Sequence, residues 1–128
     1  QYWHFNTHFD HMGVKARAES AKLITSKIAS LADGEEAVVL SGDFNAEPQQ
    51  EPISVLKNNF QGPIETVDLK GPLGTFNGFD LYANLDRRID YIFYKSVKPI
   101  EYLHLDTKRS NKRWISDHLP IYFKFKLD

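Results

Sequence analysis

The chain has 128 residues, 41% hydrophobic and 26% charged, the size and composition of one folded domain rather than of a disordered segment. With 16 basic and 17 acidic residues its formal net charge is -1, so any hold on a phosphate must come from a local basic patch or a metal. It has no cysteine, which excludes disulfides and thiolate metal sites, and no apolar run approaches the roughly 20 residues of a membrane helix.

The opening "QYWHFNTHFD" starts inside what reads as a strand, with no initiator Met, cap or polar lead-in; the chain is expected to be a piece of something longer. Within it "YWHFNTH" alternates Trp3 and Phe5 with polar neighbours, as a half-buried strand does. After Gly13, the residues Ala18, Ala21, Ile24, Ile28 and Leu31 recur at three- and four-residue steps, predicting an amphipathic helix that ends at Asp33 and Gly34. "EAVVLS" is short, apolar and β-branched, which predicts a central strand covered on both faces. A short helix begun by Pro52, with Ile53 and Leu56 inward, and a weaker strand candidate, "IETVDL", follow. "GPLGTFNGF" reads as an irregular loop. "RIDYIFY" and "PIYFKFKL" read as strands, the second with Ile121, Phe123, Phe125 and Leu127 on one face. The order predicts an α/β fold, a mixed sheet with helices on its outer side, forming a single unit over residues 1–128.

"VVLSGDFNAEP" carries the first chemical signal. Asp43 and Asn45 stand two apart just past an apolar strand, where extended backbone would point both side chains the same way. An ionised Asp accepts hydrogen bonds while Asn donates and accepts, so together they can hold a water at the carboxyl end of a strand, where α/β sheets bind ligands. Gly, Asp and Asn are also the residues of an Asx-type turn, and on this stretch alone both readings stand. "RRIDYIFY" puts Asp90 in an apolar strand, where a carboxylate must be paired or cost several kcal/mol. "ISDHLPIYF" puts Asp117 and His118 at the entry to the last strand; a His with a carboxylate partner is an acid/base unit, and Asp is a hard oxygen ligand suited to Mg²⁺.

"NTHFDH", "GDFNAEP", "RIDYIF" and "SDHLPI", in that order from Thr7 to Pro120, resemble the successive signatures of the endonuclease/exonuclease/phosphatase superfamily of metal-dependent phosphodiesterases and phosphatases. The resemblance implies that Asp43 activates the attacking water and that Asn45 helps to fix this water and the scissile phosphate. It implies that His118 donates hydrogen bonds to the phosphoryl oxygen and that Asp90 holds its imidazole. Asp117 would belong to the metal site, and His8 would touch the phosphate from the other side. The implied cofactor is Mg²⁺ or Mn²⁺, and the implied partner a phosphate-ester substrate, either nucleic acid or a small phosphodiester. Such a site must neutralise an anion and position a nucleophile, which these residue types suit.

The resemblance covers only the C-terminal half of the family's four-layer sandwich, one sheet with its helices. The family's principal metal ligand, a Glu, lies upstream of the element matching "NTHFDH", and Glu47 and Glu51 do not match it. The N-terminal half of the same domain is therefore an implied partner, its absence leaves an apolar sheet face open, and the chain alone is expected to turn over little. "GTFNGF" is similar to a loop beside the site in deadenylase-like members, which implies that Thr75, Phe76 and Asn77 line it, though Phe76 also suits a core. "TKRSNKR" places Lys108, Arg109, Lys112 and Arg113 where they either meet substrate phosphates or are simply solvated. The expected activity is that of a metal-dependent nuclease or phosphodiesterase, using in-line attack of water on phosphorus. The alternative is a non-catalytic binding or scaffold domain that keeps the fold. An abasic-site endonuclease is disfavoured, because "YANLDRR" lacks that subgroup's Trp.

Overall fold

The computed structural model describes residues 1–127. In chain order the elements are β1 (Tyr2–His8), α1 (Val14–Leu31), β2 (Ala37–Asp43), α2 (Glu51–Lys57), a 3₁₀ turn (Pro63–Glu65), β3 (Leu69–Lys70), β4 (Asp90–Lys95), β5 (Lys98–His104) and β6 (Ile121–Lys126). Among the described residues no helix is long and apolar enough to cross a membrane.

The α/β class and the flanking helices are as the sequence predicts, but the strands form two three-stranded sheets rather than one, ordered β1-β2-β4 and β3-β5-β6. β1 pairs parallel to β2, the crossover running through α1, and β4 pairs antiparallel on the far side of β2. The central place of β2 explains its unbroken apolar run. Val38 and Leu40 pack outward with Ala21, Ile28, Ile53 and Leu56 of the two helices, while Val39 and Ile92 face Tyr102 and the half-buried Ile121, Phe123 and Phe125 of the second sheet.

Three local expectations change. The helix α1 buries Ala18, Ala21 and Ile28, but Leu31, its last residue, is 52% exposed and Ala32 packs in its place. "IETVDL" is mostly not strand. Pro63 starts a 3₁₀ turn, Ile64 and Val67, three apart, both pack between the sheets, and only Leu69 and Lys70 pair. The sequence also hid β5, whose pairing with β6 shifts register between Pro99 and Glu101, an irregularity that accommodates a proline in a ladder.

A cleft of about 550 Å³ lies along the inner faces of the two sheets. Ile92, Leu119, Ile121, Phe123 and Phe125 are among its apolar lining, and His8, Asp43 and Asp90 line one end.

Candidate active site

Strand register assembles the first part of the site. His8 is the partner of Asp43 across β1 and β2, and Asp43 is the partner of Asp90 across β2 and β4. Three sequence-remote side chains therefore stand in one row at the end of the sheet. The close approach of β1 needs Gly42, because a Cβ there would collide with the Thr7 carbonyl oxygen.

His118 joins the row from the loop ahead of β6. An isolated antiparallel bridge pairs Phe76 with His118, and the Leu119 amide donates to the Thr75 carbonyl at 2.7 Å. Asn77, almost fully buried, donates through Nδ2 to the Ser116 carbonyl at 3.0 Å and through its backbone amide to that of Asp117 at 2.8 Å. So pinned, His118 Nδ1 lies 2.9 and 3.1 Å from the two Asp90 oxygens. Since a carboxylate only accepts, Nδ1 carries the proton and Nε2 faces Asp43, whose Oδ2 is 3.8 Å away. The same Oδ2 is 3.3 Å from His8 Nε2, on a largely exposed imidazole.

The question left open over "GDFN" is answered by Asn45. β2 ends at Asp43, and Asn45 adopts left-handed backbone with φ 46°, a conformation Asn tolerates better than most residues. Its amide donates to Asp43 Oδ1 at 2.8 Å, while its Nδ2 donates to the Phe9 carbonyl at 2.9 Å. The two side chains are thus not parallel neighbours on an extended strand. An Asx turn orients the carboxylate and leaves Oδ2 directed at the histidines, so the turn and the site are one feature.

Burial and charge set the proton positions. Desolvation raises the Asp90 pKa above the usual carboxylate range, and hydrogen bonding from Thr75 and His118 offsets part of that rise. At His118 burial disfavours the imidazolium, but the Asp90 hydrogen bond and the charges of Asp90, Asp43 and Asp117 outweigh it, and its pKa is raised above the ordinary histidine value. The pair therefore keeps a proton on the imidazole with Nε2–H available to an anion.

One oxygen each from Asp43 and Asp90 and one nitrogen from His118 lie within 4.8 Å of one another, a group that can hold a metal ion. Two hard carboxylates suit a divalent cation that retains several waters, whereas His118 could ligate it only through an Nε2 that carries no proton, so its part as proton donor leaves the ion to the carboxylates. Asp117, the expected metal ligand, is not in this group; the Ser116 hydroxyl lies 3.5 Å from its Oδ1. Thr75, expected to contact substrate, has no exposed surface, and its hydroxyl accepts from the Ile89 and Asp90 amides at 3.1 Å each. It braces Asp90 instead. Arg113 lies on an exposed loop, where among the described residues its side chain forms no hydrogen bond or ion pair with this cluster. The rings of Phe76 and His118 meet in a T-shaped contact at 5.1 Å, and the Arg87 guanidinium lies over the Phe76 ring at 4.9 Å. The bracing role of Thr75 was missed because its residue type also fits an exposed loop, and its burial shows only in three dimensions.

The sequence profile of the Endonuclease/Exonuclease/phosphatase family matches residues 3–118. Among solved structures, the chain is similar to an endonuclease/exonuclease/phosphatase family protein from Bacteroides thetaiotaomicron, at 36% identity and a TM-score of 0.85, over 98% of this chain and 48% of that one. It is equally similar to a mannosyl-6-phosphatase of Bacteroides thetaiotaomicron VPI-5482, at 36% identity and a TM-score of 0.86, over 97% of this chain and 51% of that one. An AP endonuclease from Archaeoglobus fulgidus shares the fold, at 15% identity and a TM-score of 0.72, over 95% of this chain and 60% of that one. The chain thus spans about half the length of the first two structures. No curated protein sequence matches it significantly.

Proposed function

We propose that this chain, which belongs to the endonuclease/exonuclease/phosphatase family, supplies the C-terminal half of the active centre of a metal-dependent hydrolase of phosphate esters. The observation that carries this reading is the convergence of Asp43, Asp90 and His118 from three remote segments, with donor atoms within 4.8 Å of one another. A scaffold would have no use for two adjacent carboxylates held at a strand end against an imidazole.

Each residue has a distinct part. Asp43, with Oδ1 held by the Asn45 amide, accepts a proton or hydrogen bond from the attacking water at Oδ2. His118, with Nδ1–H on Asp90, donates from Nε2 to a phosphoryl oxygen as negative charge builds there. His8, exposed on the opposite side of Asp43, contacts the phosphate. Asp117 adds to the negative field that keeps His118 protonated. A divalent cation held by the acid cluster would neutralise phosphate charge and polarise the phosphorus–oxygen bond.

Within the hydrolases, the 36% identity to a mannosyl-6-phosphatase favours a small phosphomonoester over the nucleic acid or small phosphodiester expected from the motifs. The near-zero net charge supports the same choice, since affinity for a nucleic-acid backbone grows with the number of phosphates neutralised. The test is a panel of hexose 6-phosphates, aryl phosphates, aryl phosphodiesters, DNA and RNA, with Mg²⁺, assayed on the protein at the length of its structural relatives. Monoester hydrolysis is expected; failure to hydrolyse any phosphate ester would overturn the reading. The 128-residue chain alone, lacking the other half of the centre, is expected to show little turnover.

A further inference from the structure

A smaller pocket of about 140 Å³ shares His118 with the acid cluster and Leu119 with the main cleft. Leu105, Trp114, Ile115, Leu119 and Pro120 form its walls, and His118 is part of its lining. Such surroundings are unfavourable for water, because a water molecule needs two to four polar partners. Among the described residues part of the lining is uncovered, Ile115 being 63% and Leu105 38% exposed.

The pocket is rigidly built. Trp114 is buried to 7% exposure, its indole N–H donates to the Asp80 carbonyl at 2.6 Å, and the Lys108 ammonium sits 4.3 Å over its ring. Lys108 also donates to the Leu81 carbonyl at 3.0 Å. These contacts tie the loop carrying the pocket to the loop after Asn77, which itself pins Ser116. Trp114 is thus a fixed wall.

Size and chemistry define an occupant. An apolar cavity of roughly 150 Å³ accepts one benzene ring. A pyranose would bring several hydroxyls against walls whose only side-chain hydroxyls are those of Thr107 and Ser116, at a cost for each left unpaired. His118 belongs both to this pocket and to the acid cluster, so the two sites share a wall one residue thick. We propose that the pocket is a leaving-group subsite that takes a single apolar, aromatic-type ring esterified to the phosphate. This inference rests on the hydrolase reading of His118 and narrows its substrate class.

The test is NMR titration of the protein at the length of its structural relatives with phenyl phosphate, glucose 6-phosphate, inorganic phosphate and phenol, each with Mg²⁺. Phenyl phosphate is expected to shift the Ile115 methyls and the Trp114 indole N–H, and to bind at least about tenfold more tightly than inorganic phosphate. Ile115→Asn, at a wall position that is 63% exposed, is expected to abolish that gain and leave inorganic phosphate binding unchanged. Equal gains for glucose 6-phosphate, or a gain indifferent to Ile115→Asn, would overturn the proposal. Shifts at His118 with phosphate but none at Ile115 with phenyl phosphate would remove the ring pocket and spare the hydrolase reading. Shifts at Ile115 with phenol but none at His118 with phosphate would sink the hydrolase reading and leave the ring pocket standing.

Discussion

The Thr75 hydroxyl accepts a hydrogen bond from the Asp90 backbone amide at 3.1 Å, and a second from Ile89. A side chain with no exposed surface thereby fixes where the carboxylate opposite His118 stands. Thr75→Val keeps the shape but leaves two buried amides without an acceptor, a loss of about 1–3 kcal/mol. The denaturation midpoint is expected to fall. The His118 titration midpoint by NMR is expected to fall with it, because the Asp90 hydrogen bond is the largest influence raising that pKa. A lower stability with an unmoved His118 titration would mean that Thr75 supports the fold and not the acid–imidazole pair.

A second histidine gives the clearest pH dependence. His104 is 1% exposed; its Nδ1–H donates to the Pro72 carbonyl at 2.8 Å, and its Nε2 accepts from the Tyr102 hydroxyl at 3.0 Å. Burial lowers its pKa, the Pro72 hydrogen bond opposing, and burial pushes the Tyr102 pKa up to about 12. The folded state therefore binds a proton at His104 less readily than the unfolded chain, whose histidine titrates near about 6.5. Stability from this group is fully present above that pH and is lost as pH falls below it toward the folded pKa. Denaturant titrations at pH 7.5 and 5 are expected to show a smaller acid loss in His104→Gln than in the wild type. An identical loss in both would assign the acid sensitivity to other groups.

Gly42 tests the row of site residues. Any Cβ at this position meets the Thr7 backbone, not a side chain that can swing away. Gly42→Ala is expected to cost about 1–3 kcal/mol, the range for overpacking, and to disturb the pairing of His8 with Asp43 next to it. Thermal unfolding reads the first effect, and amide chemical shifts of Thr7, His8 and Asp43 read the second. A variant as stable as the wild type would show that β1 and β2 can separate there without loss.

Much of this arrangement was legible in the sequence, for physical reasons. Val38 to Leu40 form an apolar run because both faces of β2 are covered, and β6 alternates because only one of its faces is. Asp90 and His118 stood out because acids in apolar surroundings need partners. What the sequence concealed depends on long-range pairing. β5 carries Pro99 and Glu101, which blur its pattern, and the β-branched residues of "IETVDL" serve a tight turn between the sheets. Asn45 was readable as part of a site, yet its direction was not, because a left-handed residue breaks the period-two rule that placed it beside Asp43.

The metal-binding capacity of the cluster can be measured without turnover. Mn²⁺ titrated into the protein at the length of its structural relatives is expected to broaden the resonances of Asp43, Asp90 and His118 first among those of this half, and Asp43→Asn is expected to weaken that effect severalfold. Broadening spread over Glu19, Glu35 and other exposed acids, with the cluster no more affected than they are, would remove it as a cation site.

The central claim is that Asp43 and His118 act on one phosphate, and it is tested most directly by Mg²⁺-dependent hydrolysis of phosphate esters by the protein at the length of its structural relatives. Asp43→Asn and His118→Gln are each expected to lower kcat by about 10²- to 10⁴-fold, with folding unchanged by circular dichroism. Hydrolysis at wild-type rate in both variants would contradict the account.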